Sequence, residues 1–92
     1  MIHALKIQPK YFDAVRSGAK TFELRINDRD FRVGDFLALN EWECDHYTGR
    51  TELREVRYIL DIGEVIPGPD GIVIMSIAEN GSSNYDNAGA IR

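Results

Sequence analysis

The run Lys20-Thr21-Phe22-Glu23-Leu24-Arg25-Ile26 constrains this chain more than any other stretch. Its apolar and polar residues alternate with a period of two, which is the repeat of a strand and not of a helix. The alternation predicts that Phe22, Leu24 and Ile26 close a core. Thr21, Glu23 and Arg25 then share the opposite face, with an acid and a base side by side on the pleat. The Val33-Gly34-Asp35 turn follows, where Gly34 is expected to supply a positive φ that a side chain resists. The other segments read as scaffold around this strand.

The scaffold follows in order. Residues 2–7 alternate as a first strand. Pro9 opens a short helix to Ser17, since proline suits a first helical position, and Gly18 is its left-handed stop. Tyr11, Phe12, Ala14 and Val15 form the inner stripe of that helix, and Lys10, Asp13 and Arg16 face water. Asn27-Asp28-Arg29-Asp30 is a turn, because Asn and Asp side chains satisfy nearby backbone donors. Residues 36–43 form a third strand with apolar residues on both sides, 45–50 a hairpin tip, and 52–60 a returning strand whose core row is Val56, Tyr58 and Leu60. Pro67-Gly68-Pro69-Asp70-Gly71 punctuates an irregular stretch, and the β-branched run 72–77 closes the sheet. The resulting expectation is an α+β domain over residues 1–79, a small β-barrel of about five to six strands with one helix near the N-terminus. Residues 80–92 turn to Gly, Ser, Asn and Ala and read as a flexible tail.

Charge and cysteine content narrow the function. The net charge is −4, but residues 1–33 hold seven Lys/Arg against four acids and residues 34–92 hold four against eleven. An acidic chain is a poor non-specific binder of duplexes, because phosphate contacts supply most of that affinity. The basic first third leaves room for a compact nucleotide or RNA site. One cysteine, Cys44, permits no internal disulfide and suits a reducing compartment. No run approaches the roughly 20 apolar residues of a membrane span, and no apolar leader precedes the first strand. The expectation is a soluble cytoplasmic protein that needs no cofactor and no metal.

Several residues together resemble a known pattern. Ile7-Gln8-Pro9, a helix ending in Ser17-Gly18, Lys20-Thr21-Phe22-Glu23-Leu24-Arg25, Asn27-Asp28-Arg29-Asp30-Phe31 and Val33-Gly34-Asp35 resemble the ASCH family of the PUA-like superfamily, in a small bacterial and phage branch. The resemblance spans residues 2 to about 79 and is sharpest over 18–35. It implies a barrel with a cleft between barrel and helix that takes RNA or a nucleotide. One bacterial branch of the family hydrolyses acetylated cytidine with a Lys, a Thr and a Glu. Lys20 matches that Lys, but Glu23 stands where the Thr would be, and no later Glu matches the third residue.

Lys20, Glu23, Arg25 and Lys10 are therefore the candidate ligand-binding residues. Arg25 offers a planar fork to a phosphate or a base edge, and Glu23 an acceptor or a general base. The plain alternative is an ion pair worth about 0–1 kcal/mol if exposed. Lys10 reinforces the anion attraction of a helix start at Gln8 and Pro9. In an amidohydrolase-like reading, Glu23 activates water and Lys20 holds the oxyanion. A third reading has the acidic half of the chain binding another protein. Glu41, Glu43, Cys44, Asp45 and His46 include every common metal-ligand type, yet lack the spacing of a closed zinc site. A Cys44–His46 dyad is disfavoured because catalytic partners normally come from separate segments. Trp42, Tyr47 and Tyr58 are aromatic enough to stack bases, Tyr47 foremost as a tip residue. Arg54 and Arg57 lie beside Glu52 and Glu55 on the returning strand and are assigned to cross-strand ion pairing.

Overall fold

The computed structural model describes residues 1–79; the expected tail of 80–92 lies outside the described residues. Strand β1 spans Ile2–Ile7, helix α1 Pro9–Ser17, β2 Phe22–Ile26, β3 Phe36–Glu43, β4 His46–Asp61 and β5 Ile72–Glu79, with a short 3-10 turn at Ile62–Glu64. The strands make one sheet in the order β1-β3-β4-β5-β2. Only β1 and β3 run parallel; the other pairs are antiparallel. The domain is α+β, and the sheet curves into a half-barrel around α1. The two outermost strands, β1 and β2, approach each other without forming a ladder. None of the described helices is long and apolar enough to cross a membrane.

Local chemistry explains the elements. Pro9 stands at the start of α1, and Gly18 ends it at φ 86° with its N–H donating to the Val15 carbonyl. Asn27 Oδ1 accepts from Phe31 N at 3.0 Å, holding the 27–30 turn. Gly34 takes φ 96°, as expected. The hairpin tip differs from the expected 45–50. It is the pair Cys44-Asp45, with φ of 52° and 65°, and residues 46–50 already belong to β4. Two residues with positive φ turn the chain in the hand that matches strand twist, so a two-residue connection suffices.

The core gathers on the concave side, where Phe12 and Val15 of α1 meet Leu37, Leu39, Val56, Met75 and Ile77. Tyr11, expected on the inner stripe, is exposed, while Phe12 is 0% exposed. Phe12 lies between two guanidinium groups, Arg16 at 4.8 Å and Arg50 at 4.5 Å from its ring centre.

Beneath the helix runs a charged clamp. Arg50 donates to both oxygens of the buried Glu41 at 2.9 Å and to Asp13 of α1 at 2.9 Å. Thr48 donates to the same Glu41 at 2.6 Å. The register shifts between Asn40 and Trp42, and this bulge aims Thr48 and Arg50 at one carboxylate. At the far end of α1, Arg16 donates to Glu52 at 2.6 Å, and Arg54 reaches both Glu52 and the Val15 carbonyl. Asp13 and Arg16 are thus at the surface but tied to the sheet. Arg54 and Arg57 pair with Glu52 and Glu55 along their own strand, at 2.8 and 3.3 Å.

Two strand faces differ from the expectation. In β4 the core row is Arg54, Val56 and Ile59, whereas Tyr58 is 65% exposed. The register shift between Val56 and Tyr58 adds one residue and reverses the parity after it. In β2 the reversal is complete. Glu23 is buried and Arg25 half-buried on the inner side, while Phe22, Leu24 and Ile26 are 47%, 55% and 68% exposed. The inner side of β2 faces the gap toward β1, where backbone carbonyls need donors and apolar side chains have none to offer.

Two outcomes follow from this packing. Phe12→Ala removes a fully buried aromatic and is expected to cost about 3–5 kcal/mol, read as a lowered denaturant midpoint at unchanged slope. Arg50, with Thr48 beside it, holds the Glu41 carboxyl down to about 2, and hydrogen bonds from His3 and Arg16 lower Asp35 and Glu52 respectively. Carboxyls depressed in the folded state stabilise it fully above their unfolded values, and that contribution is lost as pH falls through the folded ones. Thermal midpoints should therefore drop progressively from about pH 4.5 toward pH 2. Glu41→Gln should flatten part of that drop; an unchanged profile in the variant would contradict the clamp.

Candidate functional site

The polar row of β2 opens onto a groove of about 580 Å³ between β1, the start of α1 and β2. Lys6, Ile7 and Gln8 come from the end of β1 and the residue after it, Tyr11 from the first turn of α1, and Lys20, Phe22, Glu23, Leu24 and Arg25 from β2 and its approach. The groove exists because the sheet does not close. Pairing β1 with β3 leaves the other edge of β1 unpaired, and an open edge presents bare backbone groups. Two arginines answer that need. Arg25 Nη2 donates to the Lys6 carbonyl at 2.7 Å, and Arg29 Nη1 donates to the Ala4 carbonyl at 2.7 Å. Arg25 thereby divides the large groove from a second hollow of about 330 Å³, which continues past Leu24 to Arg29 and Phe31.

Glu23 is the floor of the larger groove, at 4% exposure. Lys20 Nζ donates to its Oε1 at 2.8 Å and Arg25 Nε to its Oε2 at 2.8 Å. A buried carboxylate without such partners would be strongly unfavourable, so the three residues act as one unit. Lys20 is fixed further by a bond to the Phe22 carbonyl at 2.8 Å, with its ammonium 4.9 Å from the centre of the Phe22 ring. The triad is thus set in place before any ligand arrives. The lining holds three cations, Lys6, Lys20 and Arg25, and one carboxylate, so it carries +2 within a chain of net −4. The walls are apolar and aromatic: Ile7, Tyr11, Phe22 and Leu24.

The structure brings together Lys20, Glu23 and Arg25, as the sequence suggests. It does not bring Lys10 with them: that ammonium lies 5.0 Å from the Tyr11 ring centre and outside the groove lining. Lys6, Tyr11 and Arg29 join the site unexpectedly. Their signal is non-local, because only the strand order sets β1 opposite β2. Gln8 lines the groove while its carbonyl accepts from Phe12 N at 2.8 Å, and its side chain makes no cap.

The remaining candidates disperse. Glu41 turns inward to Arg50, while Cys44 and His46 are exposed at the hairpin tip. Among the described residues no three metal-ligating side chains converge. Tyr47 meets Trp42 edge to face at 4.7 Å, and Lys6 covers the Trp42 ring at 3.9 Å. A second buried pair, His3 Nε2 donating to Asp35 Oδ2 at 2.8 Å, packs against Phe31 away from the groove. It also takes the Arg32 N–H on the same oxygen, which locks the 32–35 turn onto β1.

Two comparisons place this arrangement among known proteins. The chain is 38% identical over 63 residues to an uncharacterised 12.9 kDa protein in the GpA 3' region of Escherichia phage P2. That alignment covers 68% of this chain and 58% of the phage protein. The chain therefore spans less than two thirds of that relative. Residues 2–77 match the family described as Domain of unknown function (DUF3850), and that match takes in β1 to β4, all but the last two residues of β5 and every residue of the groove. The chain belongs to the DUF3850 family.

Proposed function

We propose that this domain is a PUA-like module of the ASCH type that binds a nucleotide or a short single-stranded RNA element in the groove between β1 and β2. The observation that carries the reading is the triad of Lys20, Glu23 and Arg25 at the floor of an aromatic-walled, cationic groove. A volume of about 580 Å³ lies within the usual range for small-molecule sites. Tyr11 and Phe22 offer ring faces or edges to a base, and Lys6 and Lys20 offer charge to a phosphate. Glu23 keeps lone pairs beyond the two its cations use, so an exocyclic amine has an acceptor at the floor. The acidic remainder of the chain disfavours long duplexes and confines binding to a compact element.

Hydrolysis of an acylated nucleoside draws on the same side chains, with Glu23 activating water and Lys20 holding the oxyanion. The sequence favours binding over that step, because the hydroxyl of the branch that hydrolyses acetylated cytidine is absent at position 23.

Calorimetric titration at low salt with nucleoside monophosphates and short single-stranded RNAs tests the reading. Lys20→Ala and Tyr11→Ala are each expected to weaken binding by about tenfold or more, equivalent to roughly 1.4 kcal/mol. Tyr11 is exposed and outside the core, so its variant separates a lost contact from a damaged fold. Equal affinities for wild type and both variants, or no binding by any of them, would remove the proposal.

A further inference from the structure

The convex side of β4, β5 and β2 is an apolar face that nothing in the described chain covers. Directly paired residues of an antiparallel sheet lie on the same face. The register gives three rows: Phe22–Ser76–Tyr58, Leu24–Ile74–Leu60 and Ile26–Ile72. Phe22, Leu24, Ile26 and Tyr58 are all about half to two-thirds exposed, and Ile72, Ile74 and Leu60 are partly exposed. Together these side chains leave on the order of 500 Å² of apolar surface, near the top of the range for the largest patch on a monomer. That is a large part of the roughly 800 Å² one partner contributes to a standard interface.

We propose that this face is the interface of a homodimer, in which two copies stack their β4-β5-β2 sheets face to face. Two features favour a second copy over other occupants. No residue of the three rows is charged, and Glu55, beyond them, is matched by Arg57 at 3.3 Å. The net charge of −4 therefore sits elsewhere, and stacking two copies opposes no like charges. No side chain of the rows themselves offers a counter-charge to a nucleic acid, a charged peptide or a lipid headgroup. The three rows are also alike in chemistry from strand to strand, so two copies can pair this face with itself about a two-fold axis. Phe22 and Leu24 also wall the groove, so a partner copy would lie along its outer lip.

Sedimentation velocity of the full chain under reducing conditions, from about 5 to about 500 µM, reads the outcome directly, since self-association follows mass action. The wild type should shift from monomer to dimer across that range. Leu24→Asp and Tyr58→Asp, each at an exposed position on the face, should each weaken dimerisation at least about tenfold while far-UV circular dichroism stays unchanged. Val33→Asp, equally exposed at 60% but in the turn before β3, should dimerise like wild type. A wild type that stays monomeric throughout, including one whose face is taken by a different protein or by lipid, overturns the proposal. So does a dimer that survives both face variants, or one that Val33→Asp disrupts equally.

Discussion

The unpaired edge between β1 and β2 is the constraint from which the rest of the structure follows. A closed barrel would satisfy those backbone groups with a ladder. Here the carbonyls of Ala4 and Lys6 are met instead by Arg29 and Arg25. A guanidinium is well suited to this: it stays charged, its donors form a rigid fork, and it spans a gap that a strand does not fill. Its charge then needs an anion nearby in a poorly hydrated setting, and Glu23 supplies one. Lys20 completes the neutralisation of Glu23. The site is thus a by-product of how the sheet ends.

The same logic holds α1. A nine-residue helix is too short to be stable alone, and two buried apolar residues, Phe12 and Val15, give it a modest anchor. The Glu41–Arg50–Asp13 and Arg54–Glu52–Arg16 connections add hydrogen bonds at the middle and the C-terminal end of the helix and bring two guanidinium groups over the Phe12 ring. Such clamps are specific in direction, so they fix where the helix start sits relative to β1. That position sets Gln8 and Tyr11 at the mouth of the groove. Charged groups in this small interior therefore act mainly as positioning devices, since a buried ion pair is poor evidence of net stabilisation.

How far the sequence reveals this arrangement depends on whether a signal is local. Pro9, Gly18, Asn27 and Gly34 each state a local backbone requirement, and each stands where that requirement is met. The alternation of β2 is equally plain, yet alternation alone does not say which row faces inward. Assigning the apolar row to the core assumes that the space beyond the strand is apolar. Beyond β2 it is an open backbone edge, and so the polar row turns in. In β4 the extra residue near Arg57 reverses the parity, leaving Tyr58 outside and Ile59 against the core. Lys6 and Arg29 belong to the groove and seam only because the strand order β1-β3-β4-β5-β2 curls its ends together, a fact carried by long-range pairing.

The inward turn of Glu23 and Arg25 has a necessary counterpart. A strand has only two faces, so committing one to charge leaves Phe22, Leu24 and Ile26 on the other. Their neighbours on β5 and β4 extend the apolar character across three strands, although each of those strands also contributes to the core. A sheet apolar on both faces is ordinarily covered on both. Positions 22, 24 and 26 are all large and apolar, so β2 turns its charged row to the groove and its apolar row to the convex side. The two sides meet at Phe22 and Leu24, which line the groove with one edge and the convex face with the other.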